Sequence, residues 1–183
     1  MSFESTEIPD VRVYRPARHG DERGYFSETW SRAAFRAGGV DIDFVQDNHS
    51  LSRSRGVLRG LHFQIAPFAQ DKLVRVVRGA VLDVAVDIRR DSPTFGRHVA
   101  RELSAENGAQ LLVPVGFAHG FVTLVEDTEV LYKVSAPYSR ESERGLRWDD
   151  PALGIDWRTE PGAITINDRD RGFPLLSELR DLF

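Results

Sequence analysis

The sequence predicts a mainly β protein, a sandwich or closed barrel with a few short helices. Three observations support this class. Short runs of alternating apolar and polar residues cover most of the chain, turn-forming residues separate these runs, and only two stretches carry a helical pattern. Many short strands at close spacing are typical of sandwiches and barrels. The length of 183 residues suits one domain with a real core, so we expect a single domain over 1–183.

The composition excludes several classes of function. The chain has no cysteine, which rules out disulfides, thiolate catalysis and cysteine-based zinc or iron–sulfur sites. A formal net charge of −4 does not favour a broad nucleic-acid surface. The first ten residues lack the basic and apolar regions of a signal peptide, and no apolar run approaches a membrane span. We therefore expect a cytoplasmic protein with neither nucleic-acid nor membrane partners.

The first part of the chain is predicted to be extended and to lead into one short helix. Residues 1–28 have strand-like patterning, with a turn at HGDERG (19–24). SRAAFRAGG (31–39) predicts a short helix that ends at Gly38 and Gly39.

Eight strands are predicted in the middle of the chain, with turn signals such as SRSRG, RRDSPTFG and SAENG between them. Their ranges are 44–50, 56–63, 72–79, 80–88, 98–104, 109–115, 120–126 and 129–135. A second helix is predicted over PLLSELRDLF (174–183).

Strand 80–88 has two unlike faces. One face carries Leu82, Val84 and Val86. The other carries Asp83, Ala85 and Asp87. Because the second face is polar, we expect it to meet solvent or to line a cavity rather than to form dry core.

The stretch GVLRGLHFQ (56–64) has the apolar spacing of a buried strand, yet it holds Arg59 and His62. In a regular strand these two side chains would point to opposite faces. Gly60 lies between them and could host a bulge that re-aims one of them, and a strand that ends inside a pocket would also bring both side chains to one site. Taken alone, His62 is as readily a hydrogen-bonded structural histidine as a functional one.

Two spaced motifs fit the halves of the cupin signature. Gly56 is followed, after five residues, by HFQ (62–64), and Gly108 is followed, after five residues, by PVGFAH (114–119). The pair favours a cupin-type double-stranded β-helix, a jelly-roll barrel.

The metal-binding set of that signature is incomplete in this chain. Gln64 stands in place of the second histidine, and no glutamate occurs between Glu28 and Glu102. Only His62 and His119 remain of four ligands, and a metal site needs its full set. We therefore expect no bound metal.

Nine blocks of sequence, in order, carry a resemblance that spans most of the chain. They are GDERGYFSE (20–28), FVQDNHS (44–50), VLRGLHFQ (57–64), DKLVRVVRG (71–79), DVAVDIR (83–89), SPTFG (92–96), LSAEN (103–107), PVGFAHGFVTL (114–124) and LYKVSAPYS (131–139). In these blocks the chain resembles the dTDP-4-dehydrorhamnose 3,5-epimerases, a family of metal-free, cupin-like enzymes that act on sugar nucleotides.

The resemblance implies a dTDP-linked 4-keto-6-deoxyhexose as substrate. Its carbons 3 and 5 flank a ketone, so their protons are weakly acidic. Epimerisation removes such a proton, passes through an enolate and reprotonates the carbon from the opposite face. It requires a base, a group that stabilises the oxyanion and an acid across the ring, and no redox cofactor. The product would feed dTDP-L-rhamnose synthesis.

The resemblance places the base on His62, and an unperturbed imidazole has a suitable pKa of about 6.5. It places the carboxylate that orients this base on Asp170, in INDRD, although a lone aspartate in a charged loop is more often a solvated surface residue. Asp83 is the local alternative, either as the partner of His62 or as the partner of His119.

The two other catalytic roles fall on Lys72 and Tyr132. Lys72 is the implied stabiliser of the enolate, although on its own it reads as a charge at a strand edge. Lysine is unusual here, since only Lys72 and Lys133 are lysines among 24 cationic residues. Tyr132 is the implied acid, although a strand tyrosine is more often a core residue with a hydrogen-bonded tip.

The resemblance assigns the remaining site residues to the nucleotide and sugar. Arginines make multidentate contacts to phosphates, and aromatic rings stack on bases. The expected phosphate ligands are Arg23, Arg59 and Arg169. The expected contacts of base and sugar hydroxyls are Glu28, Gln46, Asp47, Asn48 and Glu143, with His119 near the sugar or phosphate and Phe26 and Tyr138 against thymine. Taken alone, Arg23 and Glu28 read as surface-turn residues.

Several alternatives stay open. An enzyme that inverts only carbon 3 or only carbon 5 would share the same base and acid, and a 3,4-ketoisomerase of a dTDP-keto sugar is a further metal-free cupin. A non-catalytic cupin that binds sugar nucleotides and a metal-dependent cupin are the remaining readings. The resemblance also implies a homodimer with strands shared between subunits, which the extended N-terminus allows.

Overall fold

A computed structural model describes residues 2–180 and 182–183. Its strands are β1 (Ser2–Ser5), β2 (Arg12–Arg15), β3 (His19–Asp21), β4 (Gly24–Phe26), β5 (Gln46–Ser52), β6 (Leu58–Gln64), β7 (Lys72–Arg78), β8 (Ala80–Asp87), β9 (His98–Ser104), β10 (Gln110–Val113), β11 (Phe117–Thr123), β12 (Thr128–Val134) and β13 (Glu143–Gly145). The helices are α1 (Arg32–Ala37) and α2 (Asp168–Arg171), and single 3-10 turns lie at Pro161–Ala163 and Leu176–Glu178.

Two antiparallel sheets form the body of the protein. The first has the strand order β1-β2-β10-β7-β12-β5, and the second has the order β13-β6-β11-β8-β9. Strands β3 and β4 form a separate hairpin. The predicted mainly β jelly-roll architecture with a few short helices is therefore confirmed.

The core lies in three layers. Between the sheets, apolar side chains of both meet in one cluster that includes Val74, Leu111 and Phe121. The outer face of the first sheet is covered by α1 and neighbouring aromatic residues around Phe35. The outer face of the second sheet is covered by the chain after β13, through residues such as Trp157. This last layer brings the C-terminal part of the chain, and with it α2, against β6.

Most predicted elements are confirmed, with ends shifted by a few residues. All eight central strands form, and the extended N-terminal region folds into β1–β4 with its turn between Asp21 and Gly24. Helix α1 lies inside the predicted range. Ser31 caps its start by accepting a hydrogen bond from the Ala34 amide, and Gly39, just beyond its end, has a φ of 77°.

The helix predicted over 174–183 is wrong, and Asp181 in that range lies outside the described residues. Only the single turn Leu176–Glu178 forms there. Leu176, Leu182 and Phe183 pack instead on the second sheet, where an extended chain can spread them along the surface. A short helix has little stability of its own, so this burial decides the local structure. The sequence pattern did not reveal β13 or α2.

Both faces of β8 are buried. Leu82, Val84 and Val86 pack under the C-terminal layer, whereas Asp83, Ala85 and Asp87 are 0 % exposed on the inner side. Of the two alternatives for the polar face, solvent exposure is wrong. Both carboxylates are satisfied by hydrogen bonds inside the protein, and Asp83 bonds to His119 on the wall of a cavity. No helix in the described part of the chain is long and apolar enough to cross a membrane.

Candidate active site

A cavity of about 470 Å³ opens between the two sheets, and polar side chains line most of it. Eleven of the predicted site residues lie on its wall: Gln46, Asn48, Arg59, His62, Lys72, His119, Tyr132, Tyr138, Glu143, Arg169 and Asp170. They come from β5, β6, β7, β11, β12 and β13, from the loop after β12 and from α2, so the fold gathers them from distant parts of the sequence.

The predicted bulge at Gly60 is confirmed, and it brings Arg59 and His62 to the same cavity. His62 pairs with His119 and Arg59 with Phe121, so two residues of β6 face one of β11. Gly60 has a φ of 131°, and a Cβ there would lie 2.6 Å from the Gly120 Cα. Only glycine fits this position.

His62 is held by a buried carboxylate. Its Nε2 lies 2.9 Å from Oδ1 of Asp170, and Oδ2 of Asp170 accepts a hydrogen bond of 3.0 Å from the Gly60 amide. Burial raises the pKa of Asp170, but the hydrogen bonds from His62 and Gly60, with the charge of Arg169, leave it below its usual value. The carboxylate is therefore ionised and acts as an acceptor, which puts a proton on Nε2 of His62.

The second histidine has a carboxylate partner of its own. His119 Nε2 lies 2.9 and 3.1 Å from the two oxygens of Asp83. Burial lowers the pKa of His119, and Asp83 offsets only part of that effect. Of the two candidate carboxylates, the structure thus places Asp170 against His62 and Asp83 against His119.

Lys72 projects from the start of β7 and is only 7 % exposed. Its Nζ donates a hydrogen bond of 3.2 Å to the backbone oxygen of His62. Burial lowers the pKa of Lys72 to about 8, against the attraction of Asp83 and Glu143. Lys72 therefore places one compact charge, still mostly protonated at neutral pH, beside the histidine.

Tyr132 reaches the cavity from β12, in the sheet opposite that of His62. It is partly buried against the cluster between the sheets. Burial raises the pKa of its phenol, and Glu143 adds to this while Arg59 acts in the opposite direction. The phenol therefore keeps its proton at neutral pH and can donate it.

A charged cluster forms another part of the cavity wall. Arg169 binds Glu143 through two hydrogen bonds of 2.8 and 3.1 Å, and the Tyr138 hydroxyl donates to the same carboxylate at 2.9 Å. Arg59 is held separately, by the Ser52 hydroxyl and the Leu51 carbonyl oxygen at 3.3 and 3.2 Å. Two guanidinium groups thus face one cavity, which suits an anionic ligand.

Four predicted site residues do not line this cavity: Arg23, Phe26, Glu28 and Asp47. Arg23 lies in the β3–β4 hairpin, is largely exposed and pairs with Asp21. Phe26 is 71 % exposed. Asp47 points to the other side of β5, where Lys133 binds it at 2.9 Å. In a strand, alternate side chains face opposite ways, so Gln46 and Asn48 face the cavity and Asp47 does not.

Six cavity residues were not predicted from the sequence: Ser50, Phe63, Gln64, Gln70, Phe121 and Asn167. Ser50 continues the alternation of Gln46 and Asn48, a signal that could have found it. Its hydroxyl is buried and has no hydrogen-bond partner among the described residues. A ligand oxygen that reached this hydroxyl would satisfy it.

Gln64 stands where the cupin signature has a metal ligand, and here it joins two loops. Its Nε2 donates to the carbonyl oxygens of Phe68 and Pro137 at 2.6 and 3.1 Å, and its Oε1 accepts from the Ser139 amide at 2.8 Å. The side chain thus fixes the loop after β6 against the loop that carries Tyr138. Within residues 2–180 and 182–183, no three His, Cys, Asp or Glu side chains are grouped so as to hold a metal ion.

Known proteins resemble this chain over nearly its full length. A profile of the family described as dTDP-4-dehydrorhamnose 3,5-epimerase matches residues 5–178. A dTDP-4-dehydrorhamnose 3,5-epimerase of Sinorhizobium fredii is 55 % identical over 179 residues, which are 98 % of this chain and 91 % of the relative.

Two solved structures share the fold. A dTDP-4-dehydrorhamnose 3,5-epimerase of Bacillus anthracis, with TDP and PPi bound, has a TM-score of 0.92 and 45 % identity, covering 95 % of this chain and 98 % of the other. A dTDP-6-deoxy-D-glucose-3,5-epimerase of Legionella pneumophila, in complex with dTDP-4-keto-L-rhamnose, has a TM-score of 0.93 and 41 % identity, covering 98 % and 94 %. This chain therefore belongs to the dTDP-4-dehydrorhamnose 3,5-epimerase family.

Proposed function

We propose that this protein is a dTDP-4-dehydrorhamnose 3,5-epimerase, an isomerase that converts dTDP-4-dehydro-6-deoxy-D-glucose to dTDP-4-dehydro-L-rhamnose. The observation that carries the proposal is the His62–Asp170 pair in a cavity shared with Lys72 and Tyr132. We propose that the chain works as one domain over 1–183, in the cytoplasm, without a metal or redox cofactor.

His62 is the proposed base. Because Asp170 accepts the proton on Nε2, the lone pair lies on Nδ1, and this nitrogen would take the proton from carbon 3 or carbon 5. The ionised Asp170 also stabilises the imidazolium that results.

Lys72 is the proposed stabiliser of the enolate. Negative charge develops on the ketone oxygen as the proton leaves, and a buried ammonium group stabilises it more strongly than it would in water. Tyr132 is the proposed acid that returns a proton from the other side of the ring. Its location on the opposite sheet and its raised pKa support this role.

Arg59 and Arg169 are the proposed ligands of the diphosphate. Gln46, Asn48 and Glu143 supply polar groups for the nucleoside and sugar hydroxyls, His119 lies near the sugar or phosphate, and the Tyr138 ring is placed to stack on thymine. The relatives with bound TDP and with a bound dTDP-keto sugar support this class of ligand.

We further propose a homodimer in which the β3–β4 hairpin completes the cavity of the partner subunit. The hairpin pairs with no other described strand and exposes Tyr25 and Phe26 by 62 % and 71 %. It carries Arg23 and Phe26, with Glu28 just beyond, which the resemblance assigns to the nucleotide but which lie outside the cavity of their own chain. Asp47 also lies outside the cavity of its own chain, on the outer side of β5, so we propose that it too contacts the nucleotide from across the subunit interface.

Mixed dimers test this arrangement. His62→Ala and Arg23→Ala should each lose most activity alone. If the hairpin acts in the partner's cavity, co-refolding equal amounts restores about a quarter of the wild-type sites, because half of the dimers are mixed and each of these has one intact site. Activity that stays at the mean of the two variants would refute the exchange.

Isotope incorporation tests the reaction. The keto sugar is incubated with enzyme in heavy water, and deuterium is located by NMR. Label at both carbons 3 and 5 supports the double epimerase, whereas label at one carbon indicates a single-site enzyme. Movement of the carbonyl to carbon 3 indicates a ketoisomerase, and tight binding without exchange indicates a binding protein.

Site variants connect the reaction to the cavity. His62→Ala should abolish exchange, and Tyr132→Phe should greatly slow reprotonation. His49→Ala is the matched control, because His49 is exposed and pairs with Glu129 away from the cavity. Full deuterium exchange by the His62→Ala variant would refute the role of His62 as the base.

A further inference from the structure

Phe173 lies against the proposed base without lining the cavity. Its ring centroid is 5.6 Å from that of His62, and the two rings are nearly perpendicular, at 87°. The edge-to-face arrangement is a favourable geometry for aromatic rings. Phe173 is absent from the cavity wall, so it would not contact the sugar directly.

Gly145 makes room for this ring. In the β13–β6 pairing, Gly145 lies directly opposite His62. A Cβ on Gly145 would lie only 2.2 Å from Cε2 of Phe173, so any larger residue would have to displace the ring. The ring of Phe173 therefore occupies the space beside His62 that a side chain on β13 would otherwise fill.

The same residue anchors the turn that carries Asp170. Helix α2 has four residues, too few to be stable without tertiary contacts. It is attached to β6 through Asp170 and to β13 through Phe173. Just beyond Phe173, the Arg147 amide donates a hydrogen bond of 2.9 Å to the Pro174 carbonyl oxygen, which holds the following backbone in place.

A single hydrogen bond to Asp170 fixes one atom of the His62 ring but leaves the plane of the ring free to turn about it. A flat side chain packed edge-on against the imidazole removes that freedom. We propose that Phe173, seated on Gly145, is a positioning residue that fixes both the plane of His62 and the location of Asp170. This inference rests on the roles proposed above for His62 and Asp170.

The first test is Phe173→Ala. Small displacements of a reacting group cost much of the rate, so kcat should fall on the order of 10- to 100-fold. KM should change by a smaller factor than kcat, because Phe173 does not line the cavity itself, although the guanidinium of Arg169 lies over its ring at 5.9 Å. A kcat within about twofold of wild type would overturn the proposal.

A double-mutant cycle separates positioning from general loosening. If Phe173 acts through the His62–Asp170 pair, Phe173→Ala should lower kcat by a clearly smaller factor when Asp170 is already Asn, because the effects of residues that act as a unit are not additive. Full additivity of the two effects would overturn the proposal. Gly145→Ala is an independent variant, which displaces the Phe173 ring from the other side. It should reproduce the loss of kcat even where Phe173→Ala folds poorly. A wild-type kcat in a folded Gly145→Ala would also overturn the proposal.

Phe183→Ala is the matched control. Phe183 lies on the same C-terminal layer and packs on Phe63, with ring centroids 6.2 Å apart. It should lower the Tm and leave kcat unchanged, whereas an equal loss of kcat would show that the layer as a whole matters rather than Phe173. Full activity of His62→Ala or Asp170→Asn would refute the proposed roles instead, so the two failures are distinguishable.

Discussion

Replacing Lys72 with methionine should abolish turnover and make the protein more stable. Methionine has a similar length and no charge. Burial lowers the pKa of Lys72 from 10.5 to about 8, a difference of about 2.5 units. At 1.36 kcal/mol per unit, keeping this ammonium charged in the folded protein costs about 3 kcal/mol at pH 7.

Part of the stability gained by removing this charge is offset. Lys72→Met also loses the hydrogen bond to the His62 carbonyl oxygen, worth about 1 kcal/mol. We therefore expect a net stabilisation of about 2 kcal/mol at pH 7, or a rise in Tm of roughly 4–8 °C for a chain of this size. A charge that is needed for the enolate is thus held in a place where the fold would be better without it.

The pH dependence gives the sign of the effect. Lys72 has a lower pKa in the folded than in the unfolded state, so its cost is fully present below about pH 8 and disappears as the pH rises towards 10.5. The stability difference between the variant and the wild type should shrink accordingly between pH 7 and pH 10. Urea unfolding at both values measures it, with Lys133→Met as the control, because the Lys133 side chain is about 30 % exposed and paired with Asp47 outside the cavity. A variant that is less stable than the wild type at pH 7 would refute the reasoning.

Three further results are expected. The kcat/KM of the wild type should fall above about pH 8, as Lys72 loses its proton, and the Lys133→Met variant should show the same fall. A flat profile from about pH 7 to 9 would contradict the role of Lys72. Asp170→Asn should lower kcat on the order of 100-fold or more, because the amide can stabilise the other tautomer of His62; circular dichroism checks the fold, and near-wild-type kcat would contradict the pair. Burial raises the pKa of Asp87, but hydrogen bonds from Arg89, Ser92 and Thr94 lower it to about 2. Asp87→Asn should therefore cost about 2 kcal/mol of stability at pH 7. In the wild type, this contribution is lost as the pH falls from 3.8 through about 2. Unfolding curves measure that cost, and an unchanged midpoint would contradict it.

The strands of the barrel could be predicted from the sequence because each has a local signal. Residues 98–104 form a short run bounded by turn signals on both sides, and the structure has the strand His98–Ser104. The C-terminal layer could not be predicted in this way. Residues 174–183 carry a helical pattern, but Leu176, Leu182 and Phe183 are buried on the second sheet instead, and this long-range burial cannot be seen in the local pattern.

The same difference between local and long-range signals applies to the site residues. Gly60 between Arg59 and His62 indicated a bulge as one of two possibilities, because glycine in a strand is a local anomaly, and the structure has that bulge. The contact of His62 with Asp170 joins residues 108 positions apart, and only the resemblance pointed to it. Phe173 had no signal at all, because its role depends on the absence of a side chain at Gly145, which becomes visible only when β13 pairs with β6.

The late position of Asp170 in the chain links synthesis to chemistry. The carboxylate that completes the pair with His62 lies 108 positions later in the sequence, in the layer that packs over β6. A truncated product that lacks this layer would keep its histidine and lose the group that fixes which nitrogen holds the proton. Such a product would also lose the part of the cavity wall that Asn167, Arg169 and Asp170 form.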